Sequence, residues 1–318
     1  MNGCCVRNLV GLGSSMVNIS LLAGLTYTFV GFVPIPIYAR IIWVLLTHKD
    51  CRKYPCYNVM AQIGFFDCLV ILGEGTFGIT VATGHHLFGA TEYVAMPLSA
   101  AAWMAMLSLN LVLAVNRLKV LCELSLSKTF DKTLLWASHL FGLFFAFFYG
   151  SQFAPLIIPE DGLSFFYDME VPYGVIVEHV ELYSAIVLLG SAFLIYVYVI
   201  THLVRQRLKF TVSKTVVISQ EILLLGQSLL VFVICGLIEI LWNIGEYTLP
   251  DSPWSSCVVN AVFILHSGWI NPGICLALNA KVRQAVFRVK WNKLFVRSSK
   301  LNRWVGTAVS QPVALLCL

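Results

Sequence analysis

The chain has 318 residues, of which 58% are apolar and only 12% charged, with a mean hydropathy of +0.82, whereas soluble domains carry about 25% charged residues. Such scarcity of charge over most of the length excludes an ordinary water-soluble domain and points to a lipid bilayer as solvent. The net charge of +5 lies in short basic runs between long apolar segments, a pattern of membrane topology and not of nucleic-acid binding.

From the N-terminus, Met1 to Leu25 holds one basic residue, Arg7, and no continuous apolar core before Leu21. That is a poor signal peptide, so the first span is expected to serve as an uncleaved anchor. Asn18-Ile19-Ser20 is a glycosylation sequon at its edge. The ten cysteines contain no CxxC pair and form no Cys/His cluster of zinc spacing, so neither a disulfide framework nor a metal site is expected.

A hydrocarbon core about 30 Å thick needs roughly 20 apolar residues in a helix. Seven segments qualify: Leu21 to Leu46, Asn58 to Ala82, Tyr93 to Leu118, Thr133 to Ile158, Tyr173 to Val204, Val216 to Gly245 and Trp254 to Leu278. The expected fold is all-α, a single seven-transmembrane bundle. Residues 1–20 would lie outside the cell, 21–278 in the bundle and 279–318 in the cytoplasm, with nothing left over for a separate soluble domain.

The loops set the direction. Of the 21 basic residues, 19 fall in the three alternate loops and the tail of one side, and the opposite loops hold none. Those opposite loops carry Glu92, Glu160, Asp161, Asp168, Glu170, Glu246 and Asp251. The positive-inside rule therefore places the basic loops in the cytoplasm.

Charged and polar side chains inside a span are costly enough to mark function. In the second span Asp67 lies toward the inner end, and Glu74 lies two turns outward on the same face; the plain alternative is an interhelical hydrogen bond that only fixes packing. The third span carries Trp103, Asn110 and Arg117 at seven-residue steps. Trp103 and Arg117 are then roughly 21 Å apart along one face, which can link an outer pocket to the inner mouth. The bland reading is a core tryptophan and a positive-inside anchor.

Glu221, near the inner end of the sixth span, is the expected partner of Arg117 in a latch between helices. The same span holds Glu239 as a pocket candidate. In the seventh span Asn260, Ser267 and Asn271 share a face, Pro272 bends the helix, and Asn271 can reach toward Asp67. Ser99, Trp103, Glu239 and His266 are the main pocket candidates, with Glu178 and Glu181 also in the outer half. Beyond Leu278, the stripe Phe287, Trp291, Leu294 with flanking basic residues predicts a short amphipathic helix on the inner leaflet.

Taken together, these residues resemble rhodopsin-like receptors that couple to heterotrimeric G proteins. More closely they resemble nematode serpentine chemoreceptors, class T before class X. Cys56-Tyr57-Asn58-Val59-Met60 followed by Gly64-Phe65-Phe66-Asp67 is similar to that family's CYxxM and LGxxD signature. Leu113-Ala114-Val115-Asn116-Arg117-Leu118 is similar to its third-helix ending. His266-Ser267-Gly268, Asn271-Pro272 and Leu278-Asn279 with Arg283 are similar to its seventh-helix ending.

The resemblance implies that Arg117 meets the G protein, that Asp67 belongs to an internal polar network with Glu74 and Asn110, and that Asn271 and Pro272 form a switch. It also implies a chemosensory receptor with an extracellular ligand; the stretch of about 20 residues before the first span carries no binding domain, which favours a small molecule over a peptide, and no cofactor or enzymatic activity is expected. Four departures stand out. Asn116 replaces the acid that usually precedes the arginine, leaving Arg117 without that local partner. Cys275 stands in place of a tyrosine, the sixth span lacks its usual proline, and the cysteines that tie the outer lid to the third helix are missing.

Two other classes compete. A transporter or channel would line a path with Asp67, Glu74 and Glu239, but no internal repeat is present. A retinal protein needs a lysine in the seventh span for the Schiff base, and Trp254 to Leu278 has none. His85-His86 lack further ligands at metal spacing, which disfavours a membrane enzyme.

Overall fold

The computed structural model describes residues 19–49, 51–85, 89–151, 153–158, 163–209, 215–248, 250 and 252–287. Among the described residues, seven helices are long and apolar enough to cross a membrane. In chain order these spans are Ile19–Thr47, Pro55–Thr83, Tyr93–Leu121, Lys128–Gly150, Pro172–Gln206, Ile222–Ile244 and Trp254–Leu278. The third is the most enclosed and the fourth and fifth the most outward-facing. Because the chain alternates direction, the basic loops gather at one end of the bundle and the acidic loops at the other.

Local chemistry sets the span ends. Proline occupies the first turn in the second and seventh spans, where its missing N–H would be unpaired anyway. Ser127 caps the fourth, its Oγ accepting from the Phe130 amide at 3.1 Å. The second span ends on Gly84 at φ +67°, a left-handed conformation that suits glycine.

Prolines inside the spans mark their irregular turns. The first span breaks into a turn at Val33 and Pro34 before resuming at Ile35. Ahead of Pro272 the seventh span widens into a π-turn, His266–Ile270, and a second π-turn, Thr91–Ala95, precedes Pro97. Each proline removes one donor from the helical ladder, and a widened turn is one way to absorb that loss.

The first two spans touch through backbone. A Cβ on Gly24 would lie 2.3 Å from the Ala82 nitrogen, and one on Gly78 would lie 2.5 Å from the Thr28 nitrogen. Small residues permit this approach, which is how helices associate where lipid removes the hydrophobic drive.

One sequence expectation is corrected here. The fourth span stops at Gly150, eight residues before Ile158, and the released segment contributes strand β1, Leu156–Ile157, antiparallel to β2, Phe166–Tyr167. An apolar run alone does not separate membrane helix from buried loop. The final helix, Ala280–Phe287, buries Val282 and Val286 while Phe287 is 65% exposed. The bundle-facing side is thus Val282 and Val286, and Phe287 stays free to face the inner leaflet; Trp291 and Leu294 lie outside the described residues. Arg283 caps the end of the seventh span, Nη1 donating to the Leu276 and Ala277 carbonyls at 2.9 and 2.8 Å.

Candidate functional site

A cavity of about 680 Å³ opens within the acidic end of the bundle. Its wall includes Trp103, Glu178, Glu181, Glu239, Trp242 and Phe263. Of the four leading pocket candidates, Trp103 and Glu239 line it; Ser99 and His266 do not. Trp103 Nε1 donates to Glu239 Oε1 at 2.5 Å, joining the third and sixth spans. Asn243, one turn beyond Glu239, adds a 3.2 Å hydrogen bond from Nδ2 to Oε2.

Ser99 and His266 are fully buried behind this wall. Ser99 turns to the second span, its Oγ donating to Glu74 Oε1 at 3.0 Å and to the Val70 carbonyl at 3.3 Å. The His266 ring packs edge-on to Trp103 with centroids 5.6 Å apart, and its Nε2 lies 3.5 Å from Cys235 Sγ. Both sit in the outer half as expected, but helical rotation aims them between helices instead of into the opening.

A lid forms over the cavity without a disulfide. Leu163, Ser164 and Phe165 are buried in the loop between the fourth and fifth spans. The Leu163 carbonyl accepts from Asn260 Nδ2 at 3.1 Å and from the Tyr27 hydroxyl at 3.4 Å. Phe165 packs between Phe77 and Trp242, centroids 5.8 and 5.6 Å away. The Tyr167 hydroxyl donates to that of Tyr149 at 3.2 Å, which in turn donates to Glu181. Hydrogen bonds and ring contacts thus supply the order that the missing cysteine tie leaves out. None of these lid residues carries a local sequence signal, since each partner is far along the chain.

Deeper in the bundle, Asp67 Oδ2 accepts from the Tyr38 hydroxyl at 2.6 Å and from Asn271 Nδ2 at 2.9 Å. The anticipated reach of Asn271 toward Asp67 is therefore a direct contact, and Tyr38 is the member that sequence reasoning missed. Asn110 is buried but bonds to sulfur, Nδ2 lying 2.9 Å from Met106 Sδ and 3.6 Å from Cys235 Sγ. Among the described residues no hydrogen bond joins Asp67, Glu74 and Asn110 to one another; each is held by different neighbours. A second cavity of about 40 Å³, bordered by Tyr38, Asn110, Gln227 and Asn271, adjoins this region and has room for a water molecule. The two cavities share no lining residue.

Toward the basic end, Arg117 is buried, and its Nη2 donates to Asn116 Oδ1 at 3.1 Å. Asn116 therefore supplies a local acceptor after all, neutral where an acid is usual, and this corrects the expectation that Arg117 lacks one. Lys119 pairs with Asp131 at 2.6 Å nearby. The Glu221 side chain and Asn18 lie outside the described residues. Among the described residues no group of three or more His, Cys, Asp or Glu is placed to hold a metal ion.

The arrangement of helices is similar to that in the crystal structure of squid rhodopsin, with a TM-score of 0.67 over 93% of this chain and 89% of that one, at 13% identity. No curated protein matches the sequence. The family model described as serpentine type 7TM GPCR chemoreceptor Srt matches residues 13–299. With nearly the whole length matched and the seven-span bundle in place, the chain belongs to the Srt family of serpentine G-protein-coupled chemoreceptors.

Proposed function

We propose that this chemoreceptor sits in the plasma membrane as one receptor domain, with residues 1–20 outside, 21–278 in the bundle and 279–318 in the cytoplasm. A small molecule arriving from outside binds the cavity at the acidic end, and the resulting shift reaches Arg117, where the heterotrimeric G protein engages. The distribution of lysine and arginine supports this direction. Membership of a G-protein-coupled family supports the partner.

One observation carries the reading. Trp103, in the cavity wall, holds Glu239 of the sixth span and shares a helix face with Asn110 and Arg117. A ligand that competes for Glu239 loosens the third span from the sixth, and such a differential contact is what biases a two-state bundle. Asn271 and Pro272, next to the π-turn, provide the point where the seventh span yields. Arg117 and Glu221 form the resting latch in this scheme, so Glu221→Lys raises ligand-independent signalling.

A transporter is the weaker reading. The family is one of receptors, and the two cavities described share no lining residue. The test is a small-molecule screen in cells with a cyclic-nucleotide or calcium readout, run beside the Arg117→Ala variant. That variant should reach the surface and fail to signal; wild-type signalling from it removes Arg117 from the mechanism.

A further inference from the structure

Resting on the reading of this cavity as the ligand site, we propose that its ligand is a small organic cation, an aromatic or alkyl ammonium. Three carboxylates, Glu178, Glu181 and Glu239, line the opening, and among the described residues no lysine, arginine or histidine does. The loops between spans at that end of the bundle also lack lysine and arginine, which leaves the negative field there little offset.

Two of the acids are held by neutral donors: the buried Glu239 by Trp103 at 2.5 Å and Asn243 at 3.2 Å, and the half-buried Glu181 by the Tyr149 hydroxyl. Carboxylates withdrawn from water and held only by neutral groups leave room for a positive partner.

A second observation is independent of the acids. Asn260, 1% exposed, and Ser164 border the cavity, and their Oδ1 and Oγ lack hydrogen-bond partners but are shut off from solvent, so a donor reaches them only as the wall shifts. Asn260 Oδ1 is an acceptor only, so the complement it lacks is a donor. An ammonium offers three donors and no acceptor. The wall is also aromatic: Trp103, Trp242 and Phe263 line it, Trp103 and Phe263 meeting with centroids 4.7 Å apart and Trp242 and Phe263 at 5.8 Å. Aromatic faces attract cations through their quadrupoles. An anion would confront three carboxylates with no counter-charge. A neutral alcohol brings a single donor and no charge to offset Glu178, Glu181 and Glu239. The volume suits a drug-sized or smaller molecule.

Three probes of matched shape separate these chemistries: phenethylammonium, 2-phenylethanol and 3-phenylpropionate. Each is titrated against the full-length receptor in neutral-lipid nanodiscs, with the thermal unfolding midpoint as readout. Phenethylammonium should raise the midpoint saturably while the other two leave it flat. Glu239→Gln should weaken that binding by about tenfold or more, and Glu181→Gln is the second variant should the first fail to fold. Stabilisation by the alcohol or the acid equal to that by the ammonium overturns the proposal. So does the absence of any ammonium effect at millimolar concentration, or full affinity in a folded variant. G-protein activation is measured in parallel. Cation binding without activation leaves the cation site standing and sinks its signalling role; activation by the neutral probe alone does the reverse.

Discussion

Asn271 Nδ2 donates to Asp67 Oδ2 at 2.9 Å, joining the seventh span to the second across 204 residues of sequence. The same oxygen accepts the Tyr38 hydroxyl at 2.6 Å, so one atom ties the first, second and seventh spans together. Asp67 Oδ1 has no hydrogen-bond partner, while Tyr38 and Asn271 border the smaller cavity. The junction is strong on one oxygen and open on the other, which suits a contact that rearranges between states.

Removing the carboxylate should destabilise the bundle more than neutralising it. Asp67→Ala strands two buried donors, at about 1–3 kcal/mol for each unsatisfied group. Asp67→Asn keeps one acceptor and should lose less. Thermal unfolding of the purified receptor orders the variants, and equal midpoints for Asp67→Ala and wild type would show that the junction carries no stability.

The neutral partner of Arg117 makes a sharper prediction. Asn116→Asp turns the 3.1 Å contact into a charge-assisted hydrogen bond, roughly twice as strong as a neutral one. Ligand-independent signalling should fall at matched surface expression. Basal cyclic nucleotide in transfected cells measures it, and a rise instead would mean that Asn116 does not restrain the arginine.

Contact between the first two spans leaves no room for side chains. Gly24→Leu and Gly78→Leu push against backbone 2.3 to 2.8 Å from the new Cβ, and overpacking of this kind costs about 1–3 kcal/mol or more. Surface expression should drop for both. Gly226→Ala, where a Cβ meets nothing within 4 Å, should express like wild type or slightly better. Equal expression of all three would deny the close packing.

The lid should loosen when its carbonyl anchor is cut. Asn260→Ala removes the 3.1 Å hydrogen bond to Leu163, and Tyr27→Phe removes the 3.4 Å one. Hydrogen–deuterium exchange in residues 163–167 should quicken in each variant and most in the double variant. Exchange rates unchanged from wild type would place the lid's order in Phe165 packing alone.

Much of the architecture was legible one residue at a time. Hydropathy located seven spans, and ends such as those at Pro55, Ser127 and Gly84 need only local chemistry to explain; the exception was the run past Gly150, where apolar residues serve a buried hairpin instead of lipid. Asn243 was within reach too, because it stands one turn from Glu239 on the same helix. Tyr38, Tyr149 and Asn260 were harder to place, since their partners lie in other spans or in the lid.

From the sequence alone came the number of membrane passages, the segregation of basic and acidic loops, and the family likeness. Each follows from quantities that a residue carries wherever it sits: transfer free energy into lipid, formal charge and motif order. Tertiary structure alone decided that Ser99 and His266 turn away from the cavity while Glu178, Glu181 and Asn260 line it, and that Asn116 answers Arg117. Those outcomes depend on helix rotation and on separations of a few ångströms between spans, and packing sets both.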